Sequence, residues 1–132
     1  MSDLSQVPKA SRRVADLLSG GRSAKELRGR RFVQPYHGLR RPSAIELEPP
    51  ALRVADAIGL MTPGCSLAGW AARWLQGQAY CDGVLHGVEL PVKILCGPGS
   101  HLRKRAGIQP CERLVLPGEL VDLGDVVTTT MA

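Results

Sequence analysis

The chain predicts an α+β fold, on three observations. Helical periodicity fills the first part, strand-like runs fill the last third, and helix and strand do not alternate as a doubly wound sheet requires. A length of 132 residues suits one compact domain, or one domain with a small N-terminal subdomain. We place the boundary at the Pro49-Pro50 pair, giving a basic subdomain over 1–48 and a helix-plus-β-sheet domain over 49–132. Aromatic residues make up only 4% of the chain, so Leu, Val, Ile and Ala must build the core.

After the start, "KASRRVADLLSGG" reads as a short helix with Val14, Leu17 and Leu18 on one face, stopped by Gly20-Gly21. "SAKELRG" follows, with Ser23 and Glu26 at capping-box spacing and Gly29 as terminator. "RRFVQPYHGLRRP" turns extended: Pro35 argues against a central strand and His37-Gly38 supplies a turn, so an edge strand or hairpin is expected, a basic wing. "PPALRVADAIGLM" returns to helical spacing, with Pro50 suited to a first turn.

"CSLAGWAARWLQG" predicts a helix over 66–76 with Ser66 as N-cap. Trp70 and Trp74 stand four apart and share its face. They read either as core packing beside Leu67, Ala71 and Leu75, or as a stacking platform for bases. "LPVKILCGPG" and "IQPCERLVLPG" are strand-like runs around a basic loop carrying Arg103, Lys104 and Arg105, which we expect to be a β-hairpin loop. "LVDLGDVVTTT" adds an extended piece with a turn at 123–125, and Thr128, Thr129 and Thr130 are candidate N-caps for a helix that would follow.

The charge is unevenly placed. Residues 1–42 hold ten basic side chains against three acids, a net +7, and the remainder holds seven against nine, a net −2. A basic segment on a near-neutral body is the footprint of a polyanion contact, although solubility alone also favours surface charge. Cys65, Cys81, Cys96 and Cys111 fall at intervals of 16, 15 and 15. No close pair of the kind zinc sites use is present, so neither metal nor cofactor is expected, and the cysteines read as buried free thiols ahead of a metal site or a disulfide. No apolar run approaches the roughly 18 residues of a membrane span, and the start lacks a secretory apolar core. The expected location is the cytoplasm.

Catalysis is not expected. The acids are dispersed and show no metal-holding nuclease pattern, and Gly97-Pro98-Gly99 is too short for a phosphate cradle. Cys96 and His101 lie close in sequence, the pairing of a nucleophile and a base, but polar residues beside a glycine turn recur by chance.

The order of "ELRGRRFVQPYHGLRRP", "GCSLAGWAARWLQG" and "PVKILCGPGSHLRKRAGIQPCERLVLPGELVDLGDVVTTTMA" resembles the N-terminal half of a group of actinobacterial proteins related to AbiEi-type antitoxins. Several of these carry a C-terminal domain similar to very-short-patch-repair endonucleases. The resemblance covers roughly residues 24–132, lies in order and spacing, and implies a short winged-helix-like start. Only "SAKELRG" separates Gly21 from the wing, too little to fill a major groove, and the family's next helix and nuclease domain are absent.

The leading expectation is therefore an antitoxin-like transcriptional regulator or accessory protein that binds DNA through the phosphate backbone. Arg28, Arg30, Arg31, Arg40 and Arg41 would make contacts from the wing region, and Arg103, Lys104 and Arg105 a second contact. The alternatives are a module that engages a toxin or a second copy through Trp70 and Trp74, and an inactive remnant of a longer nuclease-like protein.

Overall fold

The computed structural model describes residues 7–78, 80–98, 100–113, 117–123 and 126–129. The fold is α+β, in two compact units, Met1–Leu60 and Met61–Ala132.

The N-terminal unit runs α1 (Val7–Ala10), β1 (Arg12–Arg13), α2 (Val14–Ser19), α3 (Ala24–Leu27), β2 (Phe32–Val33), β3 (Leu39–Pro42) and α4 (Pro49–Leu60). The single helix expected at "KASRRVADLLSGG" is thus divided. Ser11 ends α1, and Arg12 and Arg13 pair with Arg40 and Leu39 as a strand. Tertiary pairing outweighs a local pattern too short to sustain a helix alone. The α3 cap forms as the spacing requires, with the Glu26 amide donating to Ser23 Oγ at 3.1 Å. β2 and β3 make the expected antiparallel wing, Phe32 opposite Pro42 and Val33 opposite Arg41. The three short strands form one small sheet in the order β1-β3-β2.

The unit closes later than Pro49-Pro50. α4 packs on α1 and β3 and buries Ala51, Val54, Ala55, Ala57 and Leu60, joining Val7, Ala10, Leu27 and Leu39 in one core. Without α4 the short elements before it would have no apolar face to rest on, so the boundary lies after Leu60. One polar cluster crosses this core. Asp56 Oδ1 of α4 accepts from Ser11 Oγ at 2.5 Å and from Arg41 Nε at 3.1 Å.

The C-terminal unit centres on a five-stranded mixed sheet, order β8-β7-β4-β10-β9. Its strands are β4 (Cys65–Ala68), β7 (Val92–Cys96), β8 (Ile108–Glu112), β9 (Leu120–Asp122) and β10 (Val127–Thr129), with α5 (Gly69–Leu75) beside them and a separate hairpin, β5 (Val84–Leu85) and β6 (Val88–Glu89). Three expectations are corrected. Ser66 lies inside β4 and caps nothing, so α5 begins at Gly69, because Cys65–Ala68 pairs with Lys93–Cys96 as a buried strand. Thr128 and Thr129 belong to β10, the inner partner of β4 and β9. Thr130 and the 124–125 part of the expected turn lie outside the described residues.

The third correction concerns the basic loop. β7 and β8 are parallel, Val92 opposite Ile108 through Cys96 opposite Glu112, so the segment between them is a crossover and not a hairpin loop. β8 accepts Pro110 because it lies at the sheet edge, where a missing amide costs no ladder bond on the open side. The β5–β6 hairpin went unrecognised in the sequence. It turns at His86-Gly87, both at positive φ (51° and 77°), as a two-residue hairpin turn requires.

Two predictions follow from this packing. Arg41→Ala leaves the Asp56 carboxylate buried without its cation and should cost about 3 kcal/mol in urea unfolding. The triple variant Ser11→Ala, Arg41→Met, Asp56→Leu removes all three polar partners together and should recover most of that loss.

The cysteines supply the second. Cys65 and Cys96 are buried on opposed residues with sulfurs 3.8 Å apart, and Cys81 and Cys111 are half-buried. Burial, followed by the neighbouring Cys65, pushes the Cys96 thiol up to about 11. A thiol-exchange reagent should modify two thiols in the folded chain and all four after denaturation. The folded chain holds the Cys96 proton more tightly than the unfolded one. This contribution to stability is therefore intact below about pH 9 and lost as pH rises towards 11. The difference in urea midpoint between roughly pH 8 and 10 should shrink in Cys96→Val.

Candidate nucleic-acid interface

Seven arginines of the N-terminal unit divide into two sets, those held by a carbonyl or carboxylate and those that are not. Helix ends present carbonyls with no intrahelical partner, and nearby guanidinium groups supply donors. Arg13 Nη2 donates to the Leu60 carbonyl at the end of α4 at 2.9 Å, and Arg40 Nε donates to the Leu27 carbonyl of α3 at 3.1 Å. A second nitrogen of Arg40 donates to its neighbour, the Leu39 carbonyl, at 3.0 Å. Arg41 is held by Asp56. Arg22 pairs with Glu26 at 2.7 Å and lies 5.6 Å from the Phe32 ring centroid, a cation–π contact.

Arg28, Arg30 and Arg31 form the other set. Arg28 is the C-cap of α3, and Arg30 and Arg31 occupy the turn into β2. All three are exposed, and among the described residues none meets a carboxylate. Their backbone is fixed although their side chains are not. Ser43 Oγ donates to the Arg30 carbonyl at 2.7 Å and the Ser43 amide to the Arg31 carbonyl at 2.8 Å. A rigid turn thus presents three guanidinium groups within four residues. Of the five arginines expected to contact DNA from this unit, Arg40 and Arg41 are committed to internal partners and Arg28, Arg30 and Arg31 remain available.

In the C-terminal unit the crossover is clamped where it leaves β7. The Gly97 amide donates to the Gly64 carbonyl at 3.2 Å and Ser100 Oγ to the Pro63 carbonyl at 2.6 Å. Gly64 lies at φ +90°, and a Cβ there would collide with the Ser100 hydroxyl, so both the turn and the clamp require glycine. Leu102 is buried and anchors the middle of the crossover. Arg103 and Lys104 then stand exposed, while Arg105 folds back, donating to the Arg103 carbonyl at 3.2 Å, and bridges to Ile108.

Cys96 and His101 are not assembled as nucleophile and base. The Cys96 thiol faces Cys65 and holds its proton well above the usual range, and His101 Nδ1 lies 3.4 Å from Glu112 Oε1. Among the described residues no group of three or more His, Cys, Asp or Glu side chains is placed to hold a metal ion. Among the described residues no helix is long and apolar enough to cross a membrane.

Trp70 and Trp74 both fall on α5 and are half-buried. Trp70 Nε1 donates to the Pro91 carbonyl at 3.0 Å, which fixes the ring against the start of β7. Beside it lies a cleft of about 450 Å³ lined by Arg73, Tyr80, Lys93 and Gln109. Sequence reasoning passed over these four residues because they are spread from position 73 to 109 in no motif. No protein-family model matches the chain, and comparison with curated proteins and solved structures found no significant match.

Proposed function

We propose that the chain is a DNA-binding, antitoxin-like regulator or accessory protein that grips the phosphate backbone without reading base edges. The observation that carries this is the turn at Arg28, Arg30 and Arg31, three exposed guanidinium groups on a fixed backbone with no carboxylate partner among the described residues. Guanidinium forks bind phosphate oxygens two at a time, and a cation with no internal partner gives up no ion pair to reach an anion. The helix–turn–helix–wing order of α2, α3, β2 and β3 supports a duplex as partner. α3 spans only four residues, about one turn, too short to read base edges along a major groove. Arg103 and Lys104 on the crossover are a second set of phosphate ligands.

A second reading has its own support. The β5–β6 hairpin exposes Val84, Leu85 and Val88 (46%, 54% and 64%), which together with α5 suits a protein partner or a second copy of the chain. Light scattering of the purified chain across a concentration series distinguishes a monomer from a self-associating form.

Arg30→Glu with Arg31→Glu should weaken retardation of every duplex alike, by at least about tenfold near 100 mM salt. It should also flatten the log–log salt dependence by about 2, since each lost phosphate contact removes roughly 0.9 from the slope. Unchanged retardation would remove the wing turn from the interface. Arg41→Glu is no substitute for this test, because it disrupts the pair with Asp56 and therefore the fold.

A further inference from the structure

The cleft beside Trp70 adjoins a second one. Pro91 and Gln109 line both, and the second cleft, about 580 Å³, continues to Lys104 and Arg105 on the crossover. The result is a track on the C-terminal unit with two aromatic rings at one end and four cations along it: Arg73, Lys93, Lys104 and Arg105. Among the described residues the one acid lining it is Asp82, whose Oδ1 already accepts from the Val84 amide at 3.0 Å.

The aromatic residues are placed for contact. Trp70 is half-buried and held by its bond to Pro91, so its ring is oriented before any ligand arrives. Tyr80 is fully exposed and sits at φ +63°, a left-handed conformation unfavourable for a bulky side chain. Neither the exposure nor the conformation contributes to packing, and such costs gather at binding sites. Arg73 and Lys93 are exposed and meet no carboxylate among the described residues. Lys93 and Gln109 are register partners on adjacent strands, so their side chains share a face of the sheet.

We propose that this track binds a single-stranded polynucleotide, with bases stacked on Tyr80 and Trp70 and the backbone following Arg73, Lys93, Lys104 and Arg105. Aromatic faces next to a row of cations are the chemistry of single-strand grooves, where stacking tolerates any base and the cations track the phosphates. An acidic peptide would satisfy the cations and leave the rings unused. The inference shares with the proposed function its choice of nucleic acid as partner, but it rests on different residues apart from Lys104.

The test is fluorescence anisotropy of labelled oligo-dT and oligo-rU, each about twelve nucleotides, titrated with the full chain. Duplex retardation of the same unaltered protein is measured alongside. Tyr80→Ala alters a side chain that packs on nothing, so the fold should persist, and single-strand affinity should fall about fivefold or more. Arg73→Glu with Lys93→Glu should lower it further and reduce the salt slope by roughly 1.4. No oligonucleotide binding, binding indifferent to Tyr80→Ala, or an acidic peptide competing as well as oligo-dT would each overturn the proposal. Single-strand binding that depends on Tyr80 without duplex retardation would uphold it and sink the proposed function, and the reverse pattern would do the opposite.

Discussion

The N-terminal unit depends on one carboxylate. Asp56 sits near the middle of α4 and is bonded by Ser11, where α1 gives way to β1, and by Arg41, on the central strand of the small sheet. Elements of four, two and four residues carry little stability of their own, and helices this short do not persist in water. A buried charge with two donors from separate segments specifies which strand lies over which helix, because any other register leaves that charge unpaired. Gly59 serves the same contact between elements, since a Cβ there would press on Leu39 and the Ser11 carbonyl.

That constraint also sorts the arginines. A guanidinium that bonds a helix-end carbonyl or a buried carboxylate is held by the fold, and one that reaches neither stays in water. Arg13, Arg40 and Arg41 serve the fold, whereas Arg28, Arg30 and Arg31 are free for a partner. A count of positive charges therefore overstates the surface available to a polyanion. The +7 of the first 42 residues includes three arginines bonded to carbonyls or to Asp56 and a fourth, Arg22, neutralised by Glu26.

In the C-terminal unit the parallel pairing of β7 and β8 has the larger consequence. A hairpin would have carried its basic residues on a loop beyond the sheet. A crossover must return along the sheet to the start of β8, and buried Leu102 pins it there. Lys104 and Arg105 consequently end beside Pro91 and Gln109, next to the cleft that holds Trp70 and Lys93. Residues read separately in the sequence, a basic loop and a tryptophan helix, become parts of one surface.

How much of this was legible follows from the range of each interaction. The α+β class, the Ser23 cap, the wing and α4 were readable, because capping, turn chemistry and helical periodicity act within a few residues. Ser66, Thr128 and Thr129 were misread because the same residues serve as caps or as strand, and pairing with distant segments decides which. The basic character of Arg28–Arg31 and Arg103–Arg105 was plain in the sequence. Which arginines face solvent was not, since it depends on Asp56 and on carbonyls 13 to 47 residues away. The sequence by itself determined the local elements and the supply of charge. The tertiary structure alone decided strand direction, the fate of each guanidinium and the assembly of the aromatic track, because pairing and burial join residues that no local pattern relates.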